Sequence, residues 1–511
     1  MSILGLDIGT TNCKGTVFSF DRDPGGGAII ARAEREYPLI HPHPDWAELD
    51  SRVVIAAARE VMRELAGKAR ADPVAAISVC SMGEAMTPVS RDGRILGNAI
   101  IHLDSRGREQ IEAFYARIDK EDLFDINPNI HGTNYSLPKL LWRKDNEPEL
   151  FASVWKFLLF DELLLFMMGL EPLTSYSLAN RTMLFDIREE GWSDRLLALA
   201  GMEAGILGTP VASGTIAGEL GARAAEEFGL ERGVICVVGA HDQCCNALGA
   251  GVISAGKAVC GIGTVECITP VYDRIPNSSF MLANGLNVEH HALSGLYVSF
   301  IYNQAGSLVR WFRDTFARAD WQLMTAGEDI YDVLVREMPD EPTGLLTLPY
   351  FEMTGPPEFV TDGTGVIAGL RTSTPRGEIL KSILEGVTFY FVESIQALRE
   401  MGIDTSEFIA TGGGARTGRW LQIKADIFGI PFVRPRITEG SVVGAAILAG
   451  AATGVFADAA EGVAKCVQRE KVFRPDPARH RIYVEQYEKY RRLRALMRGL
   501  PDAAEGGVGR T

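Results

Sequence analysis

The chain opens on short apolar runs broken by turns: ILGLDIG (3–9), KGTVFSFD (14–21) and GGAIIARAEREY (26–37). Runs of this length, rich in β-branched and aromatic residues, predict strands. The first two form a hairpin whose turn is Gly9-Thr10-Thr11-Asn12. Apolar positions then shift to helical spacing over 52–68, and a further strand, AAISVC, follows at 75–80. Strand and helix patterns stay mixed to the end, which predicts an α/β architecture. The most apolar stretch, VWKFLLFDELLLFMMGL (154–170), carries Lys156, Asp161 and Glu162 and predicts a buried helix, not a membrane span.

The opening pattern returns once. GKAVCGIGTVECITPVYD (256–273) is again strand, Gly-x-Gly-Thr turn, strand. Two such units about 250 residues apart predict two related domains, placed at 1–250 and 251–490, with 491–511 as a flexible tail. A third Gly-rich turn, Gly412-Gly413-Gly414, sits between a predicted strand and a predicted helix in FIATGGGARTGRWLQIKADIFGIPF (408–432). Consecutive glycines before a helix let a ligand approach backbone N–H groups. Residues 251–258, GVISAGKA, nearly spell a P-loop, but Ala258 stands where a metal-binding hydroxyl is required and a strand follows instead of a helix.

Composition narrows the classes. The 511 residues carry a formal net charge of −15, which disfavours a broad nucleic-acid surface. The basic run KYRRLRALMR (489–498) reads as a solvated terminal helix. The start MSILGLDIGTTN has no basic n-region and predicts no secretory leader. The eight cysteines form no CxxC pair, so a reduced, cytoplasmic protein is expected over a disulfide scaffold.

Phosphate oxygens are bound by N–H groups in tight turns, by hydroxyls and by Mg²⁺. Thr10, Thr11 and Asn12 lie in such a turn beside Asp7, a carboxylate placed to hold the metal or its water shell, and Lys14 adds charge. Residues 261–264 offer a second turn. Between the two units lies GAHDQCCNALGAG (239–251), with His241, Asp242, Cys244 and Cys245. Adjacent cysteines with no second pair do not make a tetrahedral zinc site, and cysteines in a small apolar helix are usually core filling. Asp242 reads either as the N-cap of the helix that follows or as a base for an attacking hydroxyl. Glu84 and Asp104 fall at breaks beside apolar runs, where they read either as surface loop charges or as acceptors for the hydroxyls of a polyol.

Taken together, these segments resemble the FGGY carbohydrate kinases, from Ile3 to about Tyr490. DIGTTNCKG is similar to that family's first phosphate hairpin, GIGT to the second and TGGGARTGRWLQIKAD to its adenosine segment. SLPKLLWRKDNEPE (136–149), GVIAGLRTSTPRGEILKSILE (365–385) and AGSLVRWFRD (305–314) resemble further family segments. The resemblance implies an actin/hexokinase-type (ribonuclease H-like) fold with two α/β domains and a nucleotide cleft. It implies ATP and Mg²⁺ as cofactors and transfer of phosphate to a small-molecule sugar or polyol. No nucleic-acid or membrane partner is implied, and a homodimer is allowed. Asp242 matches the catalytic aspartate and Asp7 the metal position. Thr10, Thr11, Asn12, Lys14, Gly263, Thr264, Gly306, Gly412, Gly413, Gly414 and Ala415 match nucleotide positions. Met82, Glu84, His102, Asp104 and Gln243 match the substrate region.

The likeness is nearest to xylulose-type kinases, but the substrate segment departs from them. Gly83-Glu84 stands where xylulose kinases usually carry Met-His and glycerol kinases Arg-Glu. His102 replaces the family's common Trp, and Asn134 occupies a usual Gly, Ser or aromatic position. A ketopentose such as xylulose is therefore the expected acceptor, with a glycerol- or erythritol-type polyol and gluconate as alternatives. A sugar-independent ATPase of the actin/chaperone fold is the rival from another class. A sugar-sensing regulator is a second rival, but it is not expected, since no segment at either end reads as a separate DNA-binding module.

Overall fold

The computed structural model describes residues 2–20, 27–325, 327–360 and 363–498. The chain divides into two compact units. The first takes Met1–Val259, Thr269–Phe300 and Pro435–Glu470; the second takes Cys260–Ile268, Ile301–Arg434 and Lys471–Thr511. The sequence reading cut the chain once, at 250, because repeats show where a pattern restarts and not where the chain returns. Two later segments go back to the first unit.

The first unit is built on a six-stranded sheet in the order Ile216–Glu219, Ile235–His241, Val74–Ser81, Ser2–Ile8, Asn12–Ser19, Ala28–Glu36. The expected hairpin is present: Ser2–Ile8 and Asn12–Ser19 pair antiparallel, with Asp7 opposite Lys14. The three central strands, Ile235–His241, Val74–Ser81 and Ser2–Ile8, run parallel. Ser2–Ile8 is buried throughout, as a central strand covered on both faces must be. The helix Ser51–Lys68 matches the predicted helical spacing and is capped by Asp50, whose carboxylate accepts from Arg52 N at 2.9 Å. Its buried face includes Val54, Ala58, Val61 and Leu65.

Two helices of this unit pack unusually closely. Gly440–Ala452 is buried from Gly440 to Gly450. A Cβ on Gly444 would lie 1.9 Å from the Cys245 carbonyl oxygen, and one on Gly249 would lie 1.9 Å from that of Gly440. The helix Asp242–Gly249 thus meets its partner backbone to backbone, which only glycine at these crossings allows.

The stretch 154–170 is not one helix. Lys156–Leu158 is a strand paired antiparallel with Thr87–Val89, and the helix begins only at Phe160. Glu162 sets that start by accepting from Leu159 N at 2.7 Å. The apolar run before Asp104 is a strand only over Ala99–Ile100.

In the second unit the tip of the repeated hairpin, built from Lys257–Ile262 and Val265–Tyr272, pairs with Ile301–Gln304. Glu407–Thr411 pairs parallel with Phe432–Pro435. The long helix Arg376–Glu400 is buried over most of its length. The predicted tail begins inside a helix, since Pro477–Arg498 is continuous. The rest of that tail, 499–511, lies outside the described residues. No helix among the described residues is long and apolar enough to cross a membrane.

Gly444→Ala is expected to destabilise the chain by about 1–3 kcal/mol, since the added methyl meets a backbone carbonyl that cannot swing away. Urea unfolding is the check, and a variant with the wild-type midpoint would show that the two helices are free to separate.

Candidate active site

The carboxyl ends of the three parallel strands share one row. Ile8 and His241 are both register partners of Ser81. In α/β sheets this edge is where ligands bind, because the loops leaving it carry free backbone groups and side chains. Three carboxylates of the first unit gather here: Asp7 on the first strand, Glu84 just beyond the second and Asp242 just beyond the third.

Asp7 is buried. Its Oδ2 accepts from Ser441 Oγ at 2.6 Å and pairs with Lys14 Nζ at 3.2 Å, while Oδ1 is buried without a partner among the described residues. The chain then turns through Gly9-Thr10-Thr11-Asn12, closed by Gly9 N donating to Asn12 O at 2.9 Å. The Tyr37 hydroxyl braces the same turn, 2.5 Å from Gly9 O. Thr11 is exposed, and Thr10 Oγ1 lies 3.8 Å from the sulfur of buried Met82. The Asn12 side-chain amide donates to Glu34.

Met82 N donates to Ile8 O at 2.9 Å, and the chain then swings through Gly83 to Glu84, whose φ is +66°. A left-handed conformation at a non-glycine residue is uncommon and needs its surroundings to hold it. Arg181 does so. Its Nε donates to Glu84 Oε1 at 2.5 Å, and Nη2 contacts the same oxygen. Nη1 donates to Glu289 Oε1 at 2.9 Å and to Asn129 Oδ1 at 3.2 Å. The guanidinium lies 4.7 Å from the centre of the Tyr135 ring and 5.6 Å from that of Phe300. Burial opposes its charge, but Glu84 and Glu289 outweigh burial and hold the proton firmly. The sequence reading missed Arg181, Glu289 and Asn129. The available signal was a run of polar residues, Asn180-Arg181-Thr182, inside the apolar stretch 176–185.

Asp104 is not open to a ligand, contrary to expectation. It is 1% exposed, accepts from Ala47 N at 2.7 Å and from Arg106 N at 2.8 Å, and its carboxylate is forked by the Arg106 guanidinium. Each oxygen already has several donors, so Asp104 ties loops together. Beside it Lys139 donates to the Asp104 and Arg106 carbonyls, and burial pulls its ammonium down to about 7. His102 is half-buried, and burial lowers its pKa.

Asp242 does not cap its helix. The cap is His241, whose Nδ1 accepts from Gln243 N at 3.2 Å, and Asp242 is the first helical residue. With Nδ1 accepting, the ring proton sits on Nε2. Burial, with Arg181 and His102 nearby, keeps this imidazole uncharged. Phe300 stacks on it at 4.9 Å. Gly83 makes room for the ring, since a Cβ there would lie 2.8 Å from His241 Cδ2. Freed from capping, Asp242 keeps a quarter of its side chain exposed. Burial, then Asp7 and Glu84, push its carboxyl up to about 7. Cys244 and Cys245 are fully buried core residues.

The remaining predicted nucleotide residues belong to the second unit and meet around its hairpin turn. Gly306 N donates to Gly263 O at 3.1 Å, and Ala305 N and Ser307 N close on Thr264 O at 3.2 and 3.1 Å. From the other side, a Cβ on Gly412 would lie 2.6 Å from Ile262 O, and one on Gly414 2.3 Å from Ile262 Cγ2. Gly412 also has φ +79°, whereas Gly413 faces open space and Ala415 is buried. The exposed Gly263-Thr264 turn, the start of the helix Gly306–Phe316 and the Gly-rich segment therefore form one cluster.

The sequence model of the FGGY family of carbohydrate kinases, N-terminal domain, matches residues 2–249, and that of the C-terminal domain matches 278–453. Xylulose kinase of Bacillus subtilis (strain 168) is 28% identical over 494 residues, covering 96% of each chain. Glycerol kinase of Janthinobacterium sp. (strain Marseille) is 28% identical over 489 residues, 93% of this chain and 94% of that one. The crystal structure of xylulose kinase from Rhodospirillum rubrum matches with a TM-score of 0.85 at 27% identity, covering 98% of this chain and 99% of that one. The fold is accordingly the actin/hexokinase-type two-domain α/β architecture.

The Asp242 carboxyl is expected to titrate near 7, followed by carbon NMR in metal-free buffer. Because its pKa is raised on folding, its contribution favours the folded chain at low pH and is lost as pH rises through that value. Glu84→Gln removes a like charge and should move the midpoint down. A midpoint at the ordinary ~3.9 in the wild type would mean that the carboxylates do not sense one another.

Proposed function

The chain belongs to the FGGY family of carbohydrate kinases and is a sugar kinase, and from that premise we propose that it transfers the γ-phosphoryl group of ATP to one hydroxyl of a small ketose, with xylulose as the leading acceptor. The observation carrying this reading is the convergence of Asp7, Glu84 and Asp242 at the carboxyl ends of three parallel strands, with Asp242 partly exposed and raised to about 7. Xylulose leads because the relative from Bacillus subtilis bearing that name matches over 96% of both chains.

Phosphoryl transfer passes through a loose transition state, so catalysis is mostly positioning and charge stabilisation. In the proposed reaction Asp242 orients the acceptor hydroxyl and takes its proton as that oxygen bonds to the γ-phosphorus and the bond to the β–γ bridging oxygen breaks. Glu84 accepts hydrogen bonds from other hydroxyls of the same molecule. The turns at Thr10-Thr11 and Gly263-Thr264 present hydroxyls and N–H groups to phosphate oxygens, and Gly412 to Gly414 leave backbone open for the nucleoside. Asp7 fits a Mg²⁺ or its water shell: its Oδ1 is a buried acceptor without a partner, and the hard cation favours one or two carboxylates plus phosphate oxygens. Bound there, the ion would neutralise phosphate charge. Gln243 stands next to the base and is assigned to the acceptor, as are Met82 and His102 at the edge of the same cluster.

Asp242→Asn should retain folding and ATP binding but lose about 10²–10⁴-fold in kcat. A coupled ADP-release assay over ketoses and polyols measures this. Wild-type turnover in the variant removes Asp242 as base, and ATP hydrolysis that no acceptor stimulates favours the ATPase alternative.

A further inference from the structure

The Glu84–Arg181–Glu289 cluster has a consequence for the acceptor's charge. All three side chains are buried. Glu289 is saturated: Oε1 accepts from Arg181 and from Asn287 Nδ2 at 2.8 Å, and Oε2 accepts from Asn180 Nδ2. Arg181 is equally committed, to Glu84, Glu289 and Asn129. Glu84 is different. Oε1 takes both Arg181 contacts, and no hydrogen bond reaches Oε2 from the described residues. Two carboxylates against one guanidinium leave a formal charge of −1, with one carboxylate oxygen free of hydrogen bonds from the described residues. The other cations nearby are also committed. Lys139 gives its protons to carbonyls and Arg106 is forked by Asp104, while His102 and His241 are held uncharged.

Resting on the sugar-kinase reading above, we propose that this cluster is a charge filter. Glu84 Oε2 receives the hydroxyls of an uncharged polyol, Arg181 is a positioning residue that fixes Glu84 in its left-handed conformation, and the fixed negative charge rejects sugars that carry a carboxylate. A guanidinium free to make a bidentate pair would have favoured an aldonate. Here its fork is occupied from inside the protein. An anionic acceptor finds no uncommitted cation in the cluster and two carboxylates, Glu84 and Asp242, to repel it.

The test is a matched panel of xylulose, glycerol and erythritol against gluconate and xylonate, with the wild type, Glu84→Gln and Arg181→Lys. For the wild type, kcat/KM for the best neutral acceptor should exceed that for either aldonate by at least a hundredfold. Glu84→Gln removes the net charge and should narrow that ratio at least tenfold, even as neutral turnover falls. Arg181→Lys keeps the charge but loses the planar fork; it should raise the acceptor KM about tenfold and leave the ATP KM unchanged. An aldonate turned over as well as any neutral sugar by the wild type overturns the filter while leaving the kinase reading intact, and this arm decides the question even if a variant does not fold. A ratio unmoved by Glu84→Gln overturns it too, as does an Arg181→Lys variant with both KM values unchanged. No turnover of any acceptor sinks the kinase reading and the filter with it.

Discussion

Carboxylates gathered at one edge of a parallel sheet repel each other, and the first unit is organised around managing that repulsion. Asp7 is held by Lys14 and Ser441 and Glu84 by Arg181, while among the described residues no lysine or arginine contacts Asp242. The difference is visible in the protons. Lys14 is pushed well above its ordinary range, chiefly by Asp7, whereas the carboxyl of Asp242 rises to about 7. Pairing the first two and leaving the third unpaired produces two fixed charges and one group poised to exchange a proton. The sheet supplies the constraint, because parallel strands in register deliver their last residues to the same place.

Placing Asp242 also demands that its helix sit in one position. A short helix of eight residues cannot fix itself by propensity alone. Its anchorage comes from the backbone contacts with Gly440–Ala452, a helix that belongs to the same unit although it lies almost two hundred residues further along the chain. Gly249, Gly440 and Gly444 make that approach possible by having nothing beyond Cα. Ser441, on the same helix, hydrogen-bonds Asp7. One helix therefore steadies both the proposed base and the carboxylate proposed to serve the metal.

Much of this was legible in the sequence because it depends on local pattern. The two hairpins, the helix after Arg52 and the strand–glycine–helix unit around Gly412 follow from periodicity and turn chemistry, and the family resemblance rests on those same segments. What failed to show is non-local. Nothing within a few residues of Asp104 reveals that Ala47 N, 57 positions away, occupies one of its oxygens. Nothing near Glu84 points to Arg181, 97 positions away. The helix break at Phe160 was hidden because a buried strand and a buried helix are both continuous apolar runs, and periodicity does not separate them. The return of 435–470 to the first unit is a property of packing that a linear repeat does not encode.

The position of His241 depends on Gly83. The imidazole fills the space that a side chain at 83 would take, with Cδ2 2.8 Å from where the missing Cβ would be, so a larger residue at 83 and the ring in this position do not fit together. The imidazole takes the cap position, and it is itself kept uncharged. A charged imidazolium so close would hold Asp242 ionised and depress its pKa. The uncharged ring does not, so the raised proton affinity of Asp242 is a product of what surrounds it. In the proposed transfer the transition state is loose and the proton moves late, so Asp242, as the proposed base, would still accept it readily, because the hydroxyl becomes strongly acidic only as its oxygen bonds to phosphorus. The crowding that costs stability in the ionised resting site would thereby favour proton uptake in the proposed step where the proton arrives.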